Sequence, residues 1–205
     1  MKHIVLLGDS IFDNGVYVPG EAAVIDQLRA SMPVDWKATL LAVDGHVIRD
    51  VAGQLERLPR DASDLVVSVG GNDALGQAHL IEQVESIEEL TSALAEIMPG
   101  FRREYAAMLD AVTQRKLHTT VCTIYRQCPF PDAKWRRLVP LAVDAFDDII
   151  QQEAGRHDLP VIELREICTE AEDYSGLSPI EPSSIGGMKI VQAIIEQFHR
   201  PSRYD

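Results

Sequence analysis

Three polar segments of the chain each follow a short apolar run, and together they hold the residue types that acyl transfer requires. The segments are Gly8-Asp9-Ser10 after His3–Leu7, Asp44-Gly45-His46 after Ala38–Val43, and Gly70-Gly71-Asn72-Asp73 after Leu65–Val69. A serine hydroxyl can attack a carbonyl carbon, and N–H donors can stabilise the negative charge that forms on the carbonyl oxygen. The pattern therefore indicates Ser10 as a candidate nucleophile.

The candidate donors for that oxygen come from the same three segments. The backbone N–H groups of Ser10 and Gly45 and the side chain of Asn72 would supply three hydrogen bonds. One such donor stabilises a transition state by roughly 3–4 kcal/mol. Glycine suits position 45 because the missing Cβ permits a positive φ and a close approach of the backbone to a ligand. We therefore predict an oxyanion hole that contains Gly45 and Asn72.

The order of these segments resembles that of the SGNH or GDSL hydrolase superfamily. Members of that superfamily carry a Gly-Asp-Ser turn, then a glycine, a Gly-x-Asn-Asp element and finally an Asp-x-x-His near the C-terminus. The first three blocks match this chain in the right order. The resemblance implies that Ser10 is the nucleophile, that Gly45 and Asn72 form the oxyanion hole, and that the substrate is a small ester, with no cofactor.

The fourth block departs from that pattern. Aligning Pro182-Ser183-x-x-Gly186 with the family motif places Glu181 at the usual histidine position and Ser178 at the usual aspartate position. A serine needs a positioned base whose pKa is near the operating pH, whereas an ordinary glutamate has a pKa of about 4.3. An apolar wall of neighbouring residues would raise that pKa. We therefore hypothesise a Ser10–Glu181 catalytic dyad.

Two other interpretations concern the base. His46 follows the candidate oxyanion glycine and His79 lies a few residues beyond Asn72, so either histidine could supply the base in place of Glu181. Alternatively, the chain could be a catalytically silent member of the superfamily that keeps the pocket for ligand binding after losing its base.

A different chemistry is open to the acidic residues of the same segments. Asp9, Asp13 and Asp73 would lie along one edge of the sheet, where carboxylate oxygens can form a Mg²⁺ or phosphoacceptor site. The competing interpretation is structural: Asp9 and Asp73 would brace their turns by accepting backbone N–H groups.

The elements that position these residues follow from hydrophobic periodicity. Apolar runs predict five strands, and near-continuous apolar character predicts strands buried on both faces. Helical spacing of apolar residues predicts the helices that cover the sheet, with Pro99-Gly100 separating a helix around Ile87–Ile97 from the next one. The predicted strands are His3–Leu7, Ala38–Val43, Leu65–Val69, Thr119–Ile124 and Val161–Leu164. This alternation predicts one α/β domain over residues 1–205, a three-layer α/β/α sandwich with a flavodoxin-like parallel five-stranded sheet.

Composition narrows the classes of partner. The chain has 205 residues, of which 46% are hydrophobic and 25% charged, as in ordinary globular proteins. The formal net charge of −13 disfavours binding to nucleic acid and to anionic lipid. The apolar stretch before Gly8 is too short for a signal peptide, and the three cysteines suit thiols in a reducing compartment. We therefore expect a cytoplasmic protein with no membrane span and no nucleic-acid partner; the sequence leaves the oligomeric state open.

Overall fold

The computed structural model describes residues 2–125 and 131–199. Five strands form one parallel sheet in the order β2-β1-β3-β4-β5. This order is the flavodoxin-like one, so the predicted fold class is confirmed. The strands are β1 (His3–Gly8), β2 (Lys37–Leu40), β3 (Asp64–Ser68), β4 (His118–Cys122) and β5 (Val161–Ile162).

Helices connect the strands and cover both faces of the sheet. They are α1 (Val24–Ser31), α2 (Val51–Leu55), α3 (Gly71–Leu75), α4 (His79–Gln83), α5 (Ile87–Thr113), α6 (Ala133–Arg156), α7 (Leu164–Ile167) and α8 (Ser184–His199). No helix within residues 2–125 and 131–199 combines the length and the apolar character needed to cross a membrane.

The central strand β1 separates two apolar layers. Val5 and Leu7 pack on one face with side chains from α2, α4, α5 and α6. Ile4 and Leu6 point to the other face and pack with side chains from α1, α7 and α8. Successive side chains of a strand alternate between faces. Because helices cover both faces of β1, every residue of this strand is buried. This explains why the β1 sequence is apolar throughout rather than alternating.

The predicted helix break at Pro99-Gly100 is wrong. Helix α5 runs without interruption from Ile87 to Thr113 and contains Pro99. A proline inside a helix removes one backbone hydrogen bond and crowds the carbonyl four residues earlier. Here one apolar stripe continues on both sides of the proline, with Leu94 before it and Phe101 after it both buried in the same core. Packing of that stripe outweighs the local preference of proline.

The strand ends also differ from the prediction. β2 ends at Leu40, although the chain still follows β1 because the N–H groups of Leu41 and Ala42 both donate to the Leu6 carbonyl. Because two N–H groups share the Leu6 carbonyl, the regular hydrogen-bond pattern between β1 and β2 ends there. β5 ends at Ile162 because Leu164, expected in the strand, begins α7.

The segment between β4 and α6 lies partly outside the described residues. Residues 126–130, which include Cys128, are not described. Asp132 caps α6 by accepting the N–H groups of Lys134 and Trp135. The other two cysteines, Cys122 and Cys168, are buried free thiols.

Candidate active site

The turn after β1 brings Ser10 to the carboxyl edge of the sheet. Gly8 has φ +125°, and a Cβ at this position would lie 1.7 Å from the carbonyl oxygen of Ser68 on the neighbouring strand β3. Only glycine fits there. The N–H of Asp9 then donates to the same Ser68 oxygen at 3.1 Å. This close approach of two strand ends directs the chain so that Ser10 lies at the wall of a cavity, with its surface only 4% exposed.

A buried glutamine fixes this turn from the side. Gln54 on α2 accepts from the N–H of Gly8 through Oε1 and donates to the carbonyl of Gly8 through Nε2, both at 2.7 Å. The same Nε2 lies 2.9 Å from Nδ1 of His46. Because Nε2 is a donor, the His46 Nδ1 accepts from it. Sequence reasoning missed Gln54, since no local motif marks its bonds to Gly8, which lies 46 positions away.

Asn72 lines the same cavity as Ser10. It lies in the first turn of α3, directly after Gly70-Gly71, and Gly70 has φ +117°. Its Nδ2 donates to the carbonyl oxygen of His46 at 2.9 Å. A carboxamide nitrogen carries two N–H bonds, and the bond to His46 uses one of them.

Gly45 lies in the turn directly before His46, whose carbonyl oxygen accepts the hydrogen bond from Asn72. Gly45 is exposed and adopts the expected positive φ, +79°. It lies in a turn in which the N–H of Asp44 donates to Asp13 and the N–H of His46 donates to Val43. Ser10 and Asn72 line the cavity, whereas Gly45 does not.

Glu181 is the third predicted residue at the cavity wall. It is 5% exposed and, with Ile180, lines the same cavity as Ser10. Its backbone is fixed at both ends, because its N–H donates to Ser178 at 3.1 Å and its carbonyl accepts from Ser175 at 2.8 Å. Ser178, at the usual aspartate position, thus contributes its carbonyl oxygen to the turn that presents Glu181.

Burial changes the acid–base properties of Glu181. Loss of solvent raises the pKa of the Glu181 carboxyl from 4.5 to about 7; a hydrogen bond with the Ser10 side chain opposes this rise, and the charge of Asp44 adds to it. Within the described residues, Oε2 of Glu181 is buried with no hydrogen-bond partner. A carboxyl with a pKa near neutrality can exchange a proton with a neighbouring hydroxyl.

A second buried carboxyl adjoins the nucleophile turn. Burial raises the pKa of Asp9 to about 8; the N–H of Ile11 lowers it, while the charges of Glu181, Asp73 and Asp44 raise it. Two carboxyls with raised pKa values therefore adjoin Ser10.

The three aspartates considered for a metal site brace turns instead. Asp9 accepts the N–H of Ile11, Asp13 accepts that of Asp44 and Asp73 accepts that of Ile48, at 3.0 to 3.1 Å. In residues 2–125 and 131–199, no group of three or more His, Cys, Asp or Glu side chains is arranged to hold a metal ion.

The two histidines considered as bases lie away from the cavity wall. His79 is exposed at the start of α4, and His46 is bound through Nδ1 to Gln54. Among the described residues that line the cavity, none is a histidine. Glu181 and Asp9 are the lining residues with carboxyl groups, and burial raises the pKa of both.

The cavity itself has a volume of about 140 Å³. Its polar part holds Ser10, Asn72 and the two carboxyl groups, and the remainder is largely apolar. The apolar side chains come mainly from the segment 74–81 and from α5 and α6; among them are Leu75, Ile81, Leu90, Leu94, Val139 and Phe146.

Comparisons with known proteins agree with this architecture. The extracellular lipase from Streptomyces rimosus superposes with a TM-score of 0.73 at 17% identity, over 96% of this chain and 99% of the lipase. Phospholipase A1 from Streptomyces albidoflavus gives 0.73 at 18% identity, over 97% and 99%. A lipolytic protein of the G-D-S-L family from Veillonella parvula gives 0.70 at 17% identity, over 98% and 100%. At such identities the likeness shows the fold.

A match to the model of a protein family shows the family of this chain. No curated protein sequence matches this chain. The model of the GDSL-like Lipase/Acylhydrolase family matches residues 6–186, which include Ser10, Asn72 and Glu181. The resemblance inferred from the first three motifs is thereby confirmed, and the chain belongs to the GDSL-like lipase/acylhydrolase family.

Proposed function

We propose that this protein is a serine esterase that hydrolyses a small ester through an acyl-enzyme on Ser10, with Glu181 as the general base. The observation that carries the proposal is the pairing of these two residues. Both are buried at the wall of one cavity, where burial raises the pKa of the Glu181 carboxyl to about 7 and the Ser10 side chain acts against that rise. A base with that pKa is half ionised at neutral pH.

In the first step, the Glu181 carboxylate takes the proton of the Ser10 hydroxyl as Oγ attacks the carbonyl carbon of the ester. The carbonyl oxygen becomes negatively charged. In this proposal the backbone N–H groups of Ser10 and Gly45 and the second N–H of Asn72 donate to it. Donors that are already in place stabilise this charge without reorganisation.

In the second step, the tetrahedral intermediate expels the alcohol, and the proton on Glu181 passes to the leaving oxygen. The acyl group stays on Ser10. A water molecule then gives its proton to Glu181 and attacks the acyl carbon, and the released Ser10 oxygen recovers a proton from Glu181. The carboxyl thus alternates between base and acid. No cofactor enters either step.

The replacement of histidine by Glu181 is compatible with this cycle because of burial. An exposed carboxylate would be too weak a base at neutral pH. At the cavity wall, loss of solvent gives the Glu181 carboxyl the pKa of an ordinary histidine. The backbone bonds of Glu181 to Ser175 and Ser178 hold its position, which is the task that a third residue performs in a triad.

The test is the pH dependence of p-nitrophenyl acetate hydrolysis by the wild type and by Ser10→Ala and Glu181→Gln. The wild-type kcat/KM should rise through pH about 7 as Glu181 ionises. Both variants should lose activity by at least about a hundredfold, since general-base catalysis contributes roughly 10²–10⁴-fold. His79→Ala serves as the control and should retain the wild-type profile. Unchanged turnover in Glu181→Gln would remove the glutamate from the mechanism.

A second candidate function is binding without catalysis. It is favoured by one observation, that no histidine is found among the described residues of the cavity wall. A fluorophosphonate probe distinguishes the two functions, because it labels a serine only when that serine is activated. Labelling of the wild type that is absent from Ser10→Ala supports the esterase. Absence of labelling in both proteins favours the binding protein.

A further inference from the structure

The cavity beside Ser10 is strongly asymmetric in its chemistry. Its charged side chains, Asp9 and Glu181, both lie near the nucleophile. The lining side chains from α4, α5 and α6 are all uncharged and apolar; they are Leu80, Ile81, Leu90, Leu94, Trp135, Val139, Ala142, Val143 and Phe146. A charged or strongly polar ligand group in that part would lose its hydration without gaining a partner. The apolar part therefore suits a hydrocarbon.

The two ends of the cavity belong to opposite faces of the sheet. Ile81, Leu90 and Phe146 are part of the layer formed with α4, α5 and α6. Glu181 comes from the segment directly before α8, and α8 packs through Ile190 and Ile194 in the other layer. Ser10 lies after β1, between the two layers. The base therefore approaches the nucleophile from one layer, while the apolar cavity extends into the other.

This arrangement determines which side of the ester enters the cavity. In the proposed mechanism, on which this inference rests, Glu181 protonates the leaving oxygen, so the alcohol must lie on the Glu181 side. The acyl chain is bonded to the same carbonyl carbon and points away from the alcohol. We propose that the cavity between α4, α5 and α6 binds the acyl chain, and that the protein prefers straight aliphatic acyl groups of medium length over acetyl groups.

The volume limits the length of that chain. An apolar cavity of roughly 150 Å³ accommodates benzene, a six-carbon molecule, and the cavity here measures about 140 Å³. A straight chain of about four to six carbons therefore fills it. Each methylene transferred from water into such a site increases kcat/KM by about fourfold. Longer chains must leave part of their length outside.

The first experiment measures kcat/KM for p-nitrophenyl acetate, butyrate, hexanoate and decanoate. We expect a rise of roughly a hundredfold from acetate to hexanoate, followed by a fall at decanoate. Ala142→Leu and Ala78→Leu each add bulk at a residue that lines the cavity, one on α6 and one directly before α4. Each should lower the ratio of kcat/KM for hexanoate to kcat/KM for acetate by at least about tenfold.

Ala107→Leu is the matched control, because Ala107 is exposed on α5 and does not line the cavity. It should keep the wild-type preference. If either cavity variant fails to fold, as judged by circular dichroism, the other variant and the wild-type series still decide the question. Equal kcat/KM for acetate and hexanoate in the wild type would overturn the inference and leave the esterase function intact.

A binding measurement separates this inference from the proposed function. Ser10→Ala cannot form the acyl-enzyme, so calorimetry with intact ethyl hexanoate and ethyl acetate reports affinity alone. We expect tighter binding of the hexanoate, weakened by adding Ala142→Leu and unaffected by adding Ala107→Leu. If the wild type hydrolyses no ester but this pattern appears, the hydrocarbon site is upheld and the catalytic proposal fails. Equal affinities for the two esters would overturn the site itself.

Discussion

Asn14 donates a hydrogen bond from Nδ2 to the carbonyl oxygen of Pro182 at 3.1 Å, across 168 positions of the sequence. Asn14 is fully buried, and its Oδ1 accepts the N–H of Val24 at 2.9 Å. It lies four residues after Ser10, and Pro182 directly follows Glu181. One side chain therefore connects the segment that carries the nucleophile with the segment that carries the candidate base.

We predict that Asn14→Ala lowers both stability and turnover. The substitution leaves the buried Pro182 carbonyl and the Val24 N–H unpaired, which should lower the free energy of unfolding by about 2–4 kcal/mol. A shift of Glu181 away from its position beside Ser10 should also lower kcat by at least about tenfold, with little change in KM. Urea denaturation and steady-state kinetics measure these two effects. A folded variant with normal kcat would show that Ser175 and Ser178 suffice to hold Glu181.

The strands and the cluster of site residues were predictable from the sequence because each depends on local information. An apolar run followed by Gly-Asp-Ser marks a buried strand and its turn, so Ser10 and Asn72 could be placed at one edge without coordinates. Glu181 was found through its spacing from Gly186. Its raised pKa was also foreseeable, since apolar neighbours such as Ile180 and Pro182 adjoin it in the sequence.

Other features depend on contacts between distant parts of the chain and left no local signal. Gln54 and Asn14 act on Gly8 and Pro182, which lie far from them in the sequence. The continuous helix through Pro99 arises because tertiary packing outweighs a local preference. The apolar cavity is formed jointly by residues of several helices, so its size could not be read from any one of them.

A second prediction concerns the charge of Asp44. This exposed carboxylate raises the pKa of Glu181, so Asp44→Asn should lower that pKa. The acid limb of the kcat/KM profile should then move to lower pH. Asparagine retains an oxygen for the hydroxyl of Tyr17, which donates to Asp44 Oδ2 at 3.0 Å, so the turn should be preserved.

The control for Asp44→Asn is Glu196→Gln, which removes one negative charge from an exposed position on α8. The control should leave the acid limb in place. Added salt should reduce the difference between Asp44→Asn and the wild type, because mobile ions screen exposed charges. An acid limb that stays fixed in Asp44→Asn at low salt would show that another group controls the profile.

A third prediction links Glu181 to stability. Its pKa is about 7 in the folded protein and 4.5 in the unfolded chain, so the folded state binds the proton more tightly. The contribution of Glu181 to stability is fully present below pH 4.5 and is lost as the pH rises through about 7. Glu181→Gln should therefore raise the free energy of unfolding at alkaline pH by on the order of 1–2 kcal/mol, a value reduced by solvent that reaches the cavity.

Asp9→Asn is the companion to that measurement. Asparagine can still accept the N–H of Ile11, and the pKa of Asp9 is about 8. Asp9→Asn should therefore also raise the free energy of unfolding at alkaline pH. Chemical denaturation between pH 4 and 9 would compare the two curves. A wild type whose stability rises with pH through neutrality would contradict both assignments.

The last prediction tests Asn72 as an oxyanion donor. Asn72→Ala removes the proposed oxyanion donor, and loss of one such donor lowers kcat by roughly 10²–10³-fold. KM should change little, because the donor acts mainly on the charge of the transition state. The variant also loses the hydrogen bond to the His46 carbonyl, so its free energy of unfolding should fall by about 1 kcal/mol.

Gln77→Ala provides the matched comparison for Asn72→Ala, since Gln77 is another carboxamide that lines the cavity but lies beyond α3. Its kcat should stay within about twofold of the wild type, because a donor stabilises the oxyanion only from within hydrogen-bond distance. Equal decreases of kcat in the two variants would indicate a general effect of polar side chains that line the cavity. A loss confined to Asn72→Ala would assign the oxyanion contact to the residue that α3 presents beside Ser10.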